Sequence, residues 1–447
     1  MPHRRQVARR KLLKLAATAA TLPLVHIRTG RAAGRLAVGF WDHWVPAGNT
    51  VLQRQCQDWA ARNQVDIALD FITSIGNKLV LTQAAEAQAG TGHDVLHFSQ
   101  WEVHNHADKL EPVDTEVERL AGAFGKASRL SEYLGRVAGH WRAVPSSWGA
   151  QVKPPCARIS VLRQAAGIDV TQMYPAKAEY IPAMDDWTWE AHLRAAEACH
   201  KAGMTFAIGL GTTGDSVETS GALFAAYGAD LVDRDGNIRV ESDAVAQALE
   251  HAQRLVKVLP ADAVSYDDAS NNRALISGKS ALIWNPPSAW AVAKRDAPQV
   301  AADCWTFSAP QGPHGRFVPF TPAFWGVWQF AQNKTAAKEL IEFLMQRDQV
   351  EQRCIAVEGF DIPPFDGMLD FKVWEDVAPP RGTIFNYPVR PSHHGEASIA
   401  GFGAPPEVAV QIYHRAIYPG MLARLQNGQS IRQVVAWARD ELEGFVR

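Results

Sequence analysis

The sequence SALIWNPPSAW (280–290) opens the stretch 278–326, around which we interpret the rest of the chain. A short apolar run is followed by Pro286 and Pro287, and more prolines then alternate with aromatic residues. Because proline disrupts a helix interior, we expect each aromatic cluster to end a short extended segment or to lie in a loop. Rings gathered in loops favour a cleft wall, and an aromatic core is the alternative.

Length and composition limit the class of protein. A chain of 447 residues is long for one domain, so we expect two lobes. The formal net charge of −2, with acids and bases interspersed, gives no basic surface for nucleic acid or anionic lipid. Five cysteines without a Cys-x-x-Cys pair indicate neither a zinc knuckle nor a dithiol redox site, and their odd number leaves at least one free thiol.

Residues 1–33 have the pattern of an export signal. A basic region without acids precedes a mostly apolar run at 15–27, and Ala32 and Ala33 provide small residues for a peptidase. Arg9-Arg10-Lys11-Leu12-Leu13-Lys14 is similar to the twin-arginine pattern. The alternative is a basic amphipathic helix of the fold. We expect a soluble protein exported to the periplasm.

The next part of the chain alternates strand and helix patterns. We predict strands at 36–40, 67–71 and 94–97, separated by helices at 49–63 and 78–89. This order implies a parallel sheet with helices on its faces. Ligands of such sheets bind beyond the carboxyl ends of the strands.

That rule selects three loops, which are Trp41-Asp42-His43-Trp44, the segment 73–77 and Phe98-Ser99-Gln100-Trp101. Indole rings and short polar side chains follow the strands there. Rings suit the C–H faces of a polyol, and amides or carboxylates suit its hydroxyls. The sequence therefore predicts a polyol site at this edge.

A second strand and helix series begins near 146. We predict an extended segment at 157–162, a helix at 188–202 with Thr188 as its N-cap, and a strand at 205–210 followed by the polar loop 211–216. Further predicted helices are 244–258, 269–277, 335–346 and 429–445, whereas 363–406 is rich in proline and glycine and has no assignment.

Several motifs, taken in order, resemble a known family. They are Asp94-Val95-Leu96, the hairpin Gly139-His140-Trp141-Arg142-Ala143-Val144-Pro145, Trp187-Thr188-Trp189-Glu190, Tyr227-Gly228-Ala229-Asp230, and Gly278-Lys279-Ser280-Ala281-Leu282-Ile283. Together they resemble the family 1 extracellular solute-binding proteins of ABC importers, which are related to the maltose-binding type. The likeness runs from about residue 36 to the C-terminus and departs from the family at 148–151 and 363–406.

The resemblance implies an α/β, two-lobe periplasmic-binding-protein fold of type II. Each lobe would be a mostly parallel sheet flanked by helices, with a hinge between the lobes. Mapped here, the first lobe would comprise 36–145 and 280–325, and the second 146–279 and 326–447. The implied function is to capture a sugar or oligosaccharide in the interlobe cleft and deliver it to ABC permease subunits, as a monomer, without catalysis, cofactor or nucleic acid.

We predict ligand-binding residues from the strand ends and from the 278–326 stretch. They are Trp41, Asp42, Trp44, Asn77, Gln100, Trp101, Asp215, Trp284, Asn285, Trp290, Phe324 and Trp325. For each ring, the alternative is core packing, and for the two aspartates it is turn capping.

Two other functions remain open at this point. A polyol, polyamine or other small polar solute could replace the sugar, because the same rings with Asp42 or Asp215 would form a cage for a cation. A secreted carbohydrate-active enzyme would need two carboxylates about 5 to 10 Å apart. Candidates for that role are Asp267, Asp268, Glu358 and Asp361, and none lies in a catalytic motif.

A metal site is the remaining possibility that the sequence raises. His104, His106 and Asp108 alternate in the chain, and imidazole and carboxylate are ordinary metal ligands. A solvated polar surface is the usual outcome for such a group in a short helical turn. We therefore predict no metal.

Overall fold

The computed structural model of the protein describes residues 34–176, 180–376 and 395–446. The predicted export signal at 1–33 lies outside the described residues, and so does 377–394, which is part of the unassigned 363–406 region.

Thirteen strands are present in the described residues. In chain order they are β1 Gly34–Trp41, β2 Val65–Ile72, β3 Val95–Ser99, β4 Arg136–Val137, β5 His140–Trp141, β6 Val144–Val152, β7 Pro155–Arg158, β8 Thr205–Ala207, β9 Ser280–Trp284, β10 Cys304–Thr306, β11 Gln311–Gly312, β12 Gly315–Val327 and β13 Gly395–Ser398.

The longer helices number fourteen in the same described ranges. They are α1 Pro46–Asn63, α2 Lys78–Ala89, α3 Asp114–Phe124, α4 Arg129–Gly135, α5 Trp189–Lys201, α6 Gly214–Ala226, α7 Asp243–Leu255, α8 Ser270–Ile276, α9 Pro286–Asp296, α10 Lys334–Leu344, α11 Arg347–Ala356, α12 Pro406–His414, α13 Ile417–Gln426 and α14 Ile431–Glu443. Short helical turns are Ile75–Asn77, Glu102–Asn105, Ala107–Lys109, Ile159–Val161, Leu162–Ala166, Val170–Met173, Pro182–Asp186, Val256–Val258, Ala263–Ser265, Pro298–Ala301, Asp366–Met368 and Val373–Asp376.

The first sheet has the order β11-β12-β3-β1-β2, and β6 and β13 also pair with β12. Strands β1, β2 and β3 are parallel, as the alternating strand and helix pattern predicts. Strand β12 runs antiparallel to β3 and to β6. The sheet is therefore mixed rather than mostly parallel, because β12 enters it from the opposite end.

The second sheet has the order β10-β7-β9-β8, in which only β8 and β9 are parallel. The strand 280–284 lies in this sheet, where Ile283 is opposite Cys156 and Ala207. The prediction that the chain returns to the first lobe at 280 is therefore wrong. We call each sheet with its packed helices a lobe, the first lobe and the second lobe.

The return to the first lobe is made by β12. At its start, Arg316 donates hydrogen bonds to second-lobe acceptors, the Tyr174 hydroxyl at 2.8 Å and the Met184 carbonyl at 2.9 Å. Near its end, Trp325 packs against Phe40 of β1 with ring centroids 5.2 Å apart. One strand therefore spans both lobes.

Helices after β12 divide between the lobes. Helix α11 packs on α1 of the first lobe, where Arg353 donates to Gln55 at 2.7 Å. Helix α13 packs on α6 of the second lobe, with the rings of Tyr418 and Phe224 5.0 Å apart. The predicted assignment of all of 326–447 to the second lobe is therefore wrong for α10 and α11, because the apolar faces of these helices cover the first sheet.

Local sequence explains where several helices start. The Thr188 hydroxyl accepts from the Ala191 amide at 3.1 Å, so the predicted N-cap of α5 is present. Helix α9 was expected to be extended or a loop because of Pro286 and Pro287. Those prolines instead occupy its first turn, where a missing amide hydrogen costs nothing.

The apolar cores lie on the faces of the two sheets. The five cysteines are buried, and none forms a disulfide. Within the described ranges, no helix is both long enough and apolar enough to cross a membrane.

Candidate functional site

A cavity of about 480 Å³ lies between the lobes. First-lobe residues from the ends of β1, β2 and β3 and from the middle of β12 line it, and second-lobe residues from the starts of α6 and α9 face them. Six predicted site residues line this cavity, which are Trp41, Trp44, Asn77, Gln100, Asp215 and Asn285.

An aromatic wall forms on the first-lobe side. Trp41 is half-buried, and its ring lies 6.1 Å from Trp44 in an edge contact and 6.4 Å from Phe360 in a stacked one. The Trp148 indole donates to the Trp41 carbonyl at 2.9 Å, which fixes the end of β1. Rings held in this way offer flat apolar faces to a ligand.

Polar groups face the cavity from the second lobe. The Lys153 ammonium lies 3.0 Å from a carboxylate oxygen of Asp215 and donates to the Asp215 carbonyl at 2.8 Å. Asn271 donates to the other Asp215 carboxylate oxygen at 3.2 Å. Asp215 is therefore a paired carboxylate held at the start of α6.

Asp268 is a second carboxylate of the cavity wall. Its Oδ1 atom is buried and has no hydrogen-bond partner among the described residues. Burial, and then the nearby Asp215 carboxylate, raise the pKa of Asp268 to about 7, against contributions from Ser74 and Thr213 hydroxyls and from Lys153. Ser74 belongs to the first lobe, so this side chain lies where the lobes meet.

Tyr413 closes the floor of the cavity. Burial raises its pKa well above the ordinary value, and the carboxylates of Glu218, Glu102, Asp268 and Asp215 add to that effect. Four carboxyl groups therefore contribute to the raised pKa of this one phenol. Its hydroxyl group lies so close to the start of α6 that a side chain at Gly214 would meet it at 2.6 Å.

Contacts next to the cavity join the lobes. The Trp101 indole donates to the Ala400 carbonyl at 2.8 Å, and a Glu102 carboxylate oxygen lies 3.6 Å from His414 Nε2. On another side, Lys294 forms an ion pair with Glu358.

The structure corrects the expected placement of the other predicted residues. Asp42 is exposed beside the cavity and accepts from the side-chain amide of Asn49 at 2.7 Å. Five rings lie in the core instead of on the cleft wall, and they are Trp101, Trp284, Trp290, Phe324 and Trp325.

The physical reason is the same for the strand residues. Helices cover both faces of such a sheet. The side chains on both faces of each strand are therefore buried. Trp284 stacks on Trp189 of α5, with centroids 5.6 Å apart and an interplanar angle of 8°. Trp290 lies on the buried face of α9, beneath the Lys294 ammonium.

The cavity is also lined by residues that the sequence does not predict as ligand-binding. They are chiefly Glu102, Lys153, Asp268, Phe360 and Tyr413. Lys153 directly follows β6 in the segment that crosses between lobes, and that position was the available signal.

Of the four acids considered for an enzyme, only Asp268 lines the cavity. Asp361 is buried and bonded to His43 at 2.9 Å, Glu358 pairs with Lys294, and Asp267 pairs with Arg273 at 2.7 Å. Among the described residues, no three His, Cys, Asp or Glu side chains converge as a metal site would require.

Two α/β lobes with a lined cavity between them define a class of binding protein. Residues 56–380 match the family of bacterial extracellular solute-binding proteins, and the chain belongs to that family. The family and the two-lobe fold implied by the sequence resemblance are thereby confirmed.

Solved structures share the fold over nearly the whole chain. A maltose-bound protein of T. maritima, MalE3, is 18% identical, with a TM-score of 0.72 over 92% of this chain and 99% of that one. A sugar transporter from Arthrobacter chlorophenolicus with bound laminaribiose is 15% identical, with a TM-score of 0.73 over 93% and 100%. A solute-binding protein from Thermotoga lettingae bound with α-D-tagatose is 14% identical, with a TM-score of 0.74 over 93% and 100%.

Among curated proteins, a probable ABC transporter-binding protein of Deinococcus radiodurans is 27% identical over 134 residues. That alignment covers 29% of this chain and 31% of the relative, so the chain matches less than a third of the length of that protein.

Proposed function

We propose that this protein captures a sugar or oligosaccharide in the cavity between its lobes and delivers it to the membrane subunits of an ABC importer. The observation that carries the proposal is the pairing of an aromatic wall, formed by Trp41, Trp44 and Phe360, with polar groups from both lobes. Sugars need both surfaces, because their ring faces are apolar and their edges carry hydroxyls.

Amide side chains in the cavity support a ligand that carries hydroxyl groups. Gln100 and Asn77 reach the cavity from the first lobe, and Asn285 reaches it from the second. Each amide can both donate to and accept from a hydroxyl. The three solved structures named above bind maltose, laminaribiose and tagatose, which is the same chemical class.

Family membership favours binding without turnover, delivery to an ABC permease and action outside the cytoplasm. The signal-like residues 1–33 support export to the periplasm, by the twin-arginine route. We further propose that the protein binds its ligand as a monomer.

Thermal-shift measurements over sugars, polyols, polyamines and amino acids test the ligand class, because a ligand that binds only the folded state raises its melting temperature. We expect shifts with sugars, followed by saturable binding in calorimetry. Shifts confined to polyamines or amino acids would contradict the proposal.

Prolonged incubation with each sugar that shifts the melting temperature tests the enzyme alternative. We expect mass spectrometry to recover the sugar unchanged. Conversion to smaller products, abolished in an Asp268→Asn variant, would instead assign a carbohydrate-active enzyme.

A further inference from the structure

The cavity contains more carboxylates than cations. Its lining includes the carboxylates of Glu102, Asp215 and Asp268. Among the lysines and arginines of the described residues, Lys153 lines it. Lys153 is already engaged, because both of its close contacts are with Asp215. The remaining acids therefore have no lysine or arginine partner within the cavity lining.

Histidines provide little compensation for these acids. The Nε2 atoms of His106 and His414 each lie 3.6 Å from a Glu102 carboxylate oxygen, beyond hydrogen-bond distance, and burial lowers the pKa of His97 to about 3, which keeps that ring neutral. Behind the wall, Glu218 is buried, and its Oε1 atom has no partner in the described part of the chain.

Asp268 is the acid best placed to receive a ligand. Its Oδ1 atom has no hydrogen-bond donor from the residues that the structure describes. The hydroxyl groups of Ser74, from the first lobe, and Thr213, from the second lobe, form hydrogen bonds with the same carboxyl group. The Oδ1 atom can still accept a hydrogen bond, and an ammonium group of the ligand would supply both that donor and a positive charge.

An ammonium group fits this position better than a metal ion. It needs acceptors but no fixed coordination shell, and the described residues bring no three metal-binding side chains together. The phenol of Tyr413, which also lines the cavity, adds a further acceptor oxygen.

We propose that the sugar bound in this cavity carries a protonated amine and that Asp268 is the carboxylate that pairs with it. This inference rests on the proposed sugar-binding function and narrows the substrate class to amino sugars. The raised pKa of Asp268 supports it, because an incoming ammonium ion lowers that pKa and releases part of a proton.

Calorimetry with three β-1,4-linked disaccharides of the same backbone tests the proposal. The probes are cellobiose, its diamino counterpart built from glucosamine, and the N-acetylated counterpart, at about pH 7 and low salt. We expect the diamino sugar to bind at least about tenfold more tightly than either neutral one. A neutral probe that binds as tightly or more tightly would overturn the inference and leave the proposed function intact.

The same three forms of the monosaccharide, which are glucose, glucosamine and N-acetylglucosamine, remove dependence on the linkage. Preference for the amine in every series that binds supports the proposal. If no probe of either series binds and no other sugar shifts the melting temperature, the proposed function itself fails, and the inference fails with it.

Two matched variants locate the charge. Asp268→Asn keeps the shape and removes the charge, and it should lose at least about tenfold more affinity for the amino sugar than for its neutral counterpart. Asp262→Asn removes one exposed second-lobe charge outside the cavity lining and should leave the preference unchanged. Equal losses for both sugars in Asp268→Asn would contradict the role of Asp268.

A measurement on the unmodified protein keeps the test independent of folding in the variant. Binding enthalpies in two buffers of different ionisation enthalpy give the number of protons exchanged at about pH 6, where the amine of the free sugar is already largely protonated and takes up few protons. We expect net proton release with the amino sugar that exceeds the release with the neutral sugar. Equal proton exchange with both would overturn the pairing.

Discussion

At the scale of single residues, the same residue type has opposite consequences in two places. Trp41 is half-buried on the cavity wall, whereas Trp325 is fully buried against Phe40. An exposed ring face is available to a ligand, and a buried ring supports the fold. Alanine substitutions should separate these two roles.

Trp41→Ala should weaken sugar binding by about 1–3 kcal/mol, because a stacking face is lost. Trp325→Ala should instead lower the free energy of unfolding by about 3–5 kcal/mol, because it leaves a cavity in the core. Calorimetry and denaturant unfolding on both proteins check this. A folded, stable Trp325→Ala variant with weakened binding would return that ring to the site.

The loops around the cavity can be predicted from the sequence, but not all of the residues that line the cavity can. Trp41, Asn77 and Gln100 follow strands β1, β2 and β3, so the strand-end rule was sufficient. Lys153 meets Asp215 across 62 positions of chain. No local pattern encodes such a pairing, and it requires the fold itself.

At the scale of elements, the start of α6 is in close contact with the floor of the cavity. The Thr213 hydroxyl caps the helix by accepting from the Ser216 amide at 3.4 Å, and the backbone at Gly214 runs against the Tyr413 hydroxyl. A methyl group at Gly214 would also come within 3.8 Å of Gln100. Glycine therefore permits this approach.

Gly214→Ala should weaken ligand binding by at least about fivefold, an amount near 1 kcal/mol, because Tyr413 must move. Gly122→Ala, in the exposed last turn of α3, is the control and should bind normally with about 0.5–1 kcal/mol more stability. Unchanged binding by Gly214→Ala would show that Tyr413 can move away from the added methyl group without affecting ligand binding.

Element boundaries were predicted well where periodicity and caps agreed. Helix α2 has the predicted bounds 78–89, and α5 begins after the predicted cap Thr188. The sequence does not predict helix α9, because prolines such as Pro286 and Pro287 break a helix interior. Proline is nevertheless well tolerated in the first turn of a helix, which is where these two lie. The sequence predicts only short extended segments or loops where β12 is one strand of 13 residues, because both faces of β12 are covered and the alternation that marks a half-exposed strand is absent.

At the scale of the whole molecule, acid should destabilise the fold through buried histidines. Burial lowers the pKa of His192 to about 3 and that of His251 to about 4. The unfolded chain binds protons near pH 6.5, and the folded chain does not until much lower pH. Stability from these groups is therefore complete above about pH 6.5 and falls as pH decreases towards the folded pKa values.

His192→Phe should remove about 2 kcal/mol of the stability loss between about pH 7 and pH 5, because a ring packed against Trp189 and Phe206 no longer titrates. Denaturant unfolding at both pH values measures this, with the exposed His200→Gln as control. Identical pH dependence in wild type and His192→Phe would show that His192 is solvated.

Ligand should draw the two lobes together, since both contribute to one cavity. Small-angle scattering should show a smaller radius of gyration at saturating sugar than without it. Lys294→Ala, which removes the ion pair with Glu358, should shift the mixture towards the larger form. A profile unchanged by sugar would count against closure.

Strand β12, which starts beside Tyr174 and ends beside Phe40, has a practical consequence for anyone building a reporter from this protein. Neither lobe is encoded by one continuous stretch of the gene. Truncating the chain at a single position therefore cannot produce an intact lobe. A fluorophore pair should be attached by permuting the termini or by insertion at exposed turns, and truncation should be avoided.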